Sequence, residues 1–187
     1  MSINSPTAVV VGNFDGLHIG HMKLINVMKR VAQDKGLRTA VVSFLPHPLV
    51  YFGKVKQLET ILTLEEKKGI LKQHGIDYYI ELQFDKVLAE MAPAEFFNKV
   101  LIEKLNCATF IVGEDYRFGK AREGDVEIAR KLCAEHGVNS EVVPAEKCRN
   151  IGEKISSSHI RALIAGGKLN EATELLGYDY LTIKKKP

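Results

Sequence analysis

The chain has 187 residues, enough for one domain with a substantial core, and its 45% apolar and 26% charged residues are those of an ordinary soluble globular protein. A net charge of +3, with no basic stripe interleaved with aromatics, argues against a nucleic-acid partner, and no apolar run approaches the length that spans a membrane. Cys107, Cys133 and Cys148 form no CxxC pair, which argues against a zinc site or disulfide framework and fits a reducing, cytoplasmic setting; the opening MSINSPT lacks the basic and apolar regions of a secretory signal.

In chain order, residues 8–11 are apolar and β-branched and predict a buried parallel strand. Gly12 and Gly16 follow, and then His18 and His21 with Gly20 between them. Apolar residues at helical spacing predict a helix over 19–34, stopped by Gly36. Residues 38–44 predict a second strand, which runs into Leu45-Pro46-His47-Pro48, a loop held extended by its two prolines. Residues 49–62 lack a period and read as loop, a candidate lid. Thr63 and Glu66 form a capping-box pattern for a helix over 64–74.

Residues 78–82 predict a third strand. Pro93 opens a helix to Leu105 whose buried face is Phe96, Phe97, Val100 and Leu101. A fourth strand over 109–113 ends in the loop GEDYRFG, and a helix over 125–135 precedes a fifth strand at 140–143. Ser156, Ser157 and Ser158 are N-cap residues for a helix to Ala165, and a last helix covers 170–176. The closing lysines Lys184, Lys185 and Lys186 read as a solvated end. Strands alternating with helices five times predict an α/β fold, a doubly wound parallel sheet of about five strands, in which ligands bind beyond the C-terminal strand ends.

A strand, a glycine turn and a helix start form an anion site, and two imidazoles on its first turn add groups able to act on a phosphate. The serines before residue 159 form a second such site, to which Arg161 adds a charged fork; the plainer reading there is a helix cap with a surface arginine. Asp115 and Arg117 read either as ligands of a polar ring edge or phosphate or as a surface ion pair. Tyr116 and Phe118 either stack a ring or pack their loop.

Four segments, GNFDGLHIGH, FLPHP, VGEDYRFG and ISSSHIR, resemble the adenylyltransferase module of the bacterial bifunctional riboflavin kinase/FMN adenylyltransferase (FAD synthetase) family. Leu62-Thr63 with Glu66-Lys67, Phe84-Asp85 and the Leu175-Leu176-Gly177 segment fit the same pattern, so the resemblance covers about residues 8–180. The HxGH element alone points only to the wider nucleotidylyltransferase superfamily; VGxDxRFG with ISSSxIR is more specific. In the bifunctional enzymes a riboflavin kinase barrel follows. Residues 178–187 are too short for one, so a single nucleotidylyltransferase domain over 1–187, without the kinase, is expected.

The resemblance implies a Rossmann-like HxGH nucleotidylyltransferase fold that transfers AMP from ATP to FMN, giving FAD and pyrophosphate, with Mg²⁺ accompanying ATP. It implies that His18, His21 and Arg161 are catalytic. Gly12, Asn13, Phe14, Asp15, Gly20, Ser156, Ser157 and Ser158 would bind ATP; Pro46, His47, Pro48, Asp115 and Arg117 would bind the flavin. No dedicated metal ligands are expected. Asp15 is left with two roles, holding a metal-bound water or orienting a histidine. The alternatives are a sister transferase acting on pantetheine phosphate, a nicotinamide nucleotide or an alcohol phosphate, and a non-catalytic flavin or nucleotide binder. Oligomeric state leaves no readable trace.

Overall fold

The protein is described by a computed structural model covering residues 2–146 and 154–184; Cys148, Lys185 and Lys186 lie outside the described residues. Five strands form one sheet: β1 (Thr7–Val11), β2 (Arg38–Leu45), β3 (Tyr78–Gln83), β4 (Cys107–Gly113) and β5 (Asn139–Val143). Their order is β3-β2-β1-β4-β5 and every pairing is parallel. The chain steps outward from β1 to β3, then returns to the other side of β1 for β4 and β5. That reversal places a topological switch point between β1 and β4. Ala8, Val9 and Val10 are all essentially inaccessible, so β1 is covered on both faces, as a central parallel strand must be.

The described helices are α1 (Ile19–Lys35), α2 (Pro48–Tyr51), α3 (Leu64–Gln73), α4 (Lys86–Ala89), α5 (Pro93–Phe96), α6 (Val126–Glu135), α7 (Ser157–Ala165), α8 (Leu169–Leu176) and α9 (Tyr180–Lys184). The predicted capping box closes the start of α3: Glu66 N–H donates to Thr63 Oγ1, and Thr63 N–H donates to the Glu66 carboxylate. Three expectations need correction. The helix from Pro93 turns into a π-helix over Phe97–Lys104. Residues 49–62 are not all loop, because Pro48 starts α2 with His47 as its cap. The helix ending at Leu176 is not the last, because α9 follows it.

The chain divides into two compact units. One comprises residues 1–13, 24–58 and 76–144 and holds the whole sheet. Its core includes Val9, Val11, Phe96, Phe97, Phe110 and Val112. The other comprises residues 14–23, 59–75 and 145–187, and its buried apolar residues include Phe14, Leu17, Ile61, Leu71, Ile160 and Leu176.

Candidate active site

In the second unit the histidines sit on a tightly restrained turn. Phe14 (φ 47), Gly16 (φ 83) and Leu17 (φ 43) all occupy the left-handed region. For phenylalanine and leucine that conformation costs on the order of 1–3 kcal/mol each, so the surroundings must impose it. Asp15, 3% exposed, supplies much of the restraint. Ile61 N–H donates to its Oδ1 (2.8 Å), Arg161 Nη1 to its Oδ2 (2.5 Å) and Ser157 Oγ to its backbone carbonyl (2.8 Å). Tyr178 O–H donates to the Gly16 carbonyl at 2.7 Å. A Cβ at Gly16, at φ 83, would stand 2.7 Å from Ile61 Cδ1 and 3.2 Å from Ile61 Cβ and Cγ2, so a side chain there would strain the turn.

His18 immediately precedes α1, and its Nδ1 accepts from His21 N–H at 3.3 Å. In a neutral ring whose Nδ1 accepts, the proton sits on Nε2, which leaves an N–H donor without a charge. The two imidazoles stack with centroids 3.6 Å apart, and Phe14 meets His21 edge-on at 5.2 Å. Burial, then the charge of Lys154, lowers the His18 pKa to about 4; a hydrogen bond to the residue's own backbone works the other way. Burial also holds His21 well below its ordinary value, followed by His18, Lys67 and Lys154. Both rings are therefore neutral at pH 7. His21 Nδ1 is buried and meets no hydrogen-bond partner among the described residues.

A Cβ at Gly20 would lie 3.2 Å from His18 Cε1 and Nδ1. The glycine therefore makes room for the neighbouring imidazole. Ser156 caps α7 by accepting from His159 N–H (3.3 Å), and Ser158 Oγ accepts from Arg161 Nη2 (3.0 Å). The hydroxyls of Ser156, Ser157 and Ser158 are thus engaged within the unit, while the first N–H groups of α7 have no intrahelical acceptor. Asp15 hydrogen-bonds to neither imidazole; its two oxygens meet Arg161 and the Ile61 amide.

The remaining expected residues lie in the sheet-bearing unit, all just beyond the C-terminal ends of strands. Gly12 N–H donates to the Val42 carbonyl (3.0 Å), and the Asn13 carbonyl accepts from Ser43 Oγ (3.0 Å). Pro46, His47 and Pro48 follow β2, and His47 Nδ1 accepts from Leu49 N–H (3.1 Å). Beside them is an aromatic group absent from the sequence reading: Tyr51, Phe52, Phe44 and Phe84 meet edge-to-face at 5.1–5.8 Å. Phe52 is 57% exposed, a large ring face open to solvent.

After β4, Asp115 is exposed, and Arg117 pairs with Asp125 at 3.0 Å on the rim of an open cavity of about 350 Å³. Tyr116 and Phe118 stack on each other at 5.4 Å, with Phe110 and Phe96 against them, so both rings pack the loop. Ile61, Tyr178, Lys154 and the ring of Phe52 were not expected from the sequence. Lys154, directly before the serine motif, carried a readable positional signal.

The FAD synthetase family model matches residues 1–159. The chain belongs to the FAD synthetase family. It is 36% identical over 173 residues to a Listeria monocytogenes FAD synthetase, covering 92% of this chain and 69% of that one. Bifunctional riboflavin kinase/FMN adenylyltransferases of Listeria monocytogenes and Bacillus subtilis are 35% and 33% identical, with 93% of this chain aligned to each. The chain spans about half the length of these bifunctional relatives, 54% of each.

Among solved structures, a Streptococcus pneumoniae chain described as a macrolide-efflux protein superposes with a TM-score of 0.83 at 28% identity, covering 95% of this chain and 57% of that one. Francisella tularensis pantoate-β-alanine ligase, at TM-score 0.52 and 15% identity over 89% of this chain and 70% of that one, shares the fold. No helix among the described residues is long and apolar enough to cross a membrane.

Proposed function

We propose that this chain is an FMN adenylyltransferase: an oxygen of the FMN phosphate attacks the α-phosphorus of ATP, the bond from that phosphorus to the β-phosphate bridge breaks, and FAD and pyrophosphate leave. The observation that carries this reading is the stacked His18–His21 pair at the start of α1, held by a turn pinned through Asp15, in a chain of the FAD synthetase family. A phosphate monoester has its second pKa near roughly 6, so FMN arrives ionised and needs no general base. The residues then have to position two phosphates and neutralise charge that develops on the α-phosphate and the leaving pyrophosphate.

In this reading His18 Nε2–H and the His21 ring act on the ATP phosphates, and a bound polyanion raises both imidazole pKa values towards protonation. The free N–H groups at the start of α7 and those following Gly12 contribute fixed dipoles. Arg161 uses two of its five N–H donors on Asp15 and Ser158 and retains others for phosphate oxygens. Asn13, Phe14, Gly20 and the three serines shape the ATP site.

Mg²⁺ is assigned to the substrate, arriving largely hydrated on the ATP phosphates. The flavin is assigned to the sheet-bearing unit, to Pro46, His47 and Pro48 with the exposed ring of Phe52 beside them, and to Asp115 and Arg117. Arg117 would have to exchange Asp125 for ligand. The setting is cytoplasmic, with ATP and FMN as partners and neither nucleic acid nor membrane.

The test incubates the chain with Mg²⁺, ATP and FMN and separates the products by chromatography, with riboflavin, which lacks the phosphate, as the acceptor control. FAD and equimolar pyrophosphate are expected from FMN, and His21→Ala should lower turnover by about 10² or more. Binding of both substrates with no pyrophosphate released would overturn the reading.

A further inference from the structure

The turn that presents His18 depends on one contact that neither the motifs nor the family match assigns. The Gly16 carbonyl accepts from the phenol of Tyr178 at 2.7 Å, a contact between positions 162 apart in the chain. A peptide group is planar, so fixing that carbonyl fixes the whole Gly16–Leu17 peptide plane and with it the φ of Leu17. Leu17 sits at φ 43, a costly conformation for a bulky side chain, and rotation of that one plane is the simplest way for the turn to relax it. His18 is the next residue, so any such rotation re-aims its imidazole and the ring stacked on it.

We propose that Tyr178 is a positioning residue for adenylyl transfer, holding the Gly16–Leu17 peptide so that His18 and His21 are presented in their stacked arrangement. This rests on the reading of the chain as an adenylyltransferase.

Two further contacts hold the phenol in place. On its N-terminal side α8 ends at Gly177, whose φ of 77 lets the chain turn sharply; a Cβ there would lie 2.7 Å from Ile19 Cγ2, on the first residue of α1. On its C-terminal side α9 is tied down by Lys184 Nζ, which lies 2.8 Å from the Glu66 carboxylate of the α3 capping box. Burial first, then the charges of Asp15, Glu66 and Tyr180, push the Tyr178 phenol up, so it stays a donor at every working pH. Tyr178 touches the reacting groups only through the backbone it restrains.

The decisive comparison is Tyr178→Phe, which removes the hydroxyl and keeps the ring, against Thr182→Val. Thr182 Oγ1 donates to Asp179 Oδ2 at 2.6 Å on the exposed side of the same segment, so its loss costs the segment a hydroxyl bond without touching Gly16. Tyr178→Phe is expected to lower kcat by about tenfold while the KM for ATP and for FMN stays within about twofold, since misplacing catalytic groups costs rate more than binding. Thr182→Val should match the unsubstituted chain. In ¹H–¹⁵N spectra of histidine-labelled protein, Tyr178→Phe should move the imidazole signals of His18 and His21 and leave those of His47, His74 and His136 in place.

A kcat unchanged in Tyr178→Phe, with unmoved His18 and His21 signals, overturns the proposal. So does a loss of rate matched by Thr182→Val, because a general weakening of the segment would then account for it. If the unsubstituted chain makes no FAD, the functional reading fails by itself, and the imidazole signals still decide whether Tyr178 holds the turn.

Discussion

Replacing Arg161 with methionine would strand the Asp15 carboxylate, whose side chain is 4% exposed, with the Ile61 amide as its remaining side-chain hydrogen bond. Removing one partner of a fully buried ion pair costs about 3–5 kcal/mol, mostly because the other charge is left uncompensated. Arg161 is 20% exposed, which lets water soften the loss and places the expected cost near the lower end, about 3 kcal/mol. Asp15→Asn should cost less, about 1–2 kcal/mol: the amide oxygen can still accept from Ile61 N–H, and the guanidinium can hydrate. The double variant Asp15→Asn/Arg161→Met has no stranded charge and should come within about 1 kcal/mol of Asp15→Asn, giving a coupling of about 2 kcal/mol or more. Urea unfolding followed by far-ultraviolet circular dichroism at pH 7 measures all four corners of this cycle. The double variant should regain stability but not turnover, because the guanidinium is also assigned to phosphate. Additive single effects, or an Arg161→Met cost below about 1 kcal/mol, would refute the view that this pair restrains the turn.

Acid should weaken the fold through the same turn: the unfolded chain takes up a proton on His18 near pH 6.5 and the folded site does not until about pH 4, so the unfolded state binds more protons in that window. Stability is expected to fall by about 3 kcal/mol on this account as pH drops from 6.5 to 4, and His18→Gln should remove much of that slope in urea titrations at several pH values. Gly20→Ala pits helix propensity, which favours alanine by up to about 1 kcal/mol, against a Cβ 3.2 Å from the His18 ring; its melting temperature should not fall, yet kcat should drop by roughly tenfold. Phe52→Ala removes a largely exposed ring with its edge-to-face contacts to Tyr51 and Phe84 and should lower stability by about 1 kcal/mol. Steady-state assays should show its KM for FMN raised about fivefold, as a lost aromatic contact predicts, and its KM for ATP unchanged.

What was legible in the sequence was what short-range chemistry decides. The valine-rich strands, Pro93 at a first helical turn, Thr63 and Glu66 as a capping box and Ser156 as an N-cap are each settled within a few residues, and each stands where expected. Asp125 at the start of α6 and Asp179 before α9 act in the same way, the first at a predicted helix start and the second at one not predicted. The helix at Pro48–Tyr51 was hidden because two prolines suggest extended chain, although a proline can equally occupy the first helical position. The switch to π-helix at Phe97 has no local rule to announce it. Roles at the site were less legible still. His18 and His21 declare themselves by spacing, but Arg161 meets Asp15 across 146 positions, a contact only tertiary packing creates.

In the proposed ATP site the Asp15 carboxylate would repel a triphosphate unless its charge were already matched. Here one oxygen holds a guanidinium and the other a backbone amide. Arg161 is thus partly neutralised before any ligand arrives, and the two imidazoles carry no charge at pH 7. The positive potential at the histidines must then come from Lys67 and Lys154, whose fields are among the influences that lower the His21 pKa. The same two ammonium groups that make a proton costly in the free chain would be compensated by a bound polyphosphate. Ligand binding would therefore release the imidazoles from the lysine field at the moment their protonated form becomes useful. ATP binding measured by calorimetry at pH 7 in buffers of different ionisation enthalpy should reveal net proton uptake, and His18→Gln, which removes one of the two imidazoles, should reduce that uptake. Uptake that is absent, or unchanged in His18→Gln, would mean that His18 acts as a neutral N–H donor throughout, a role its tautomer already allows.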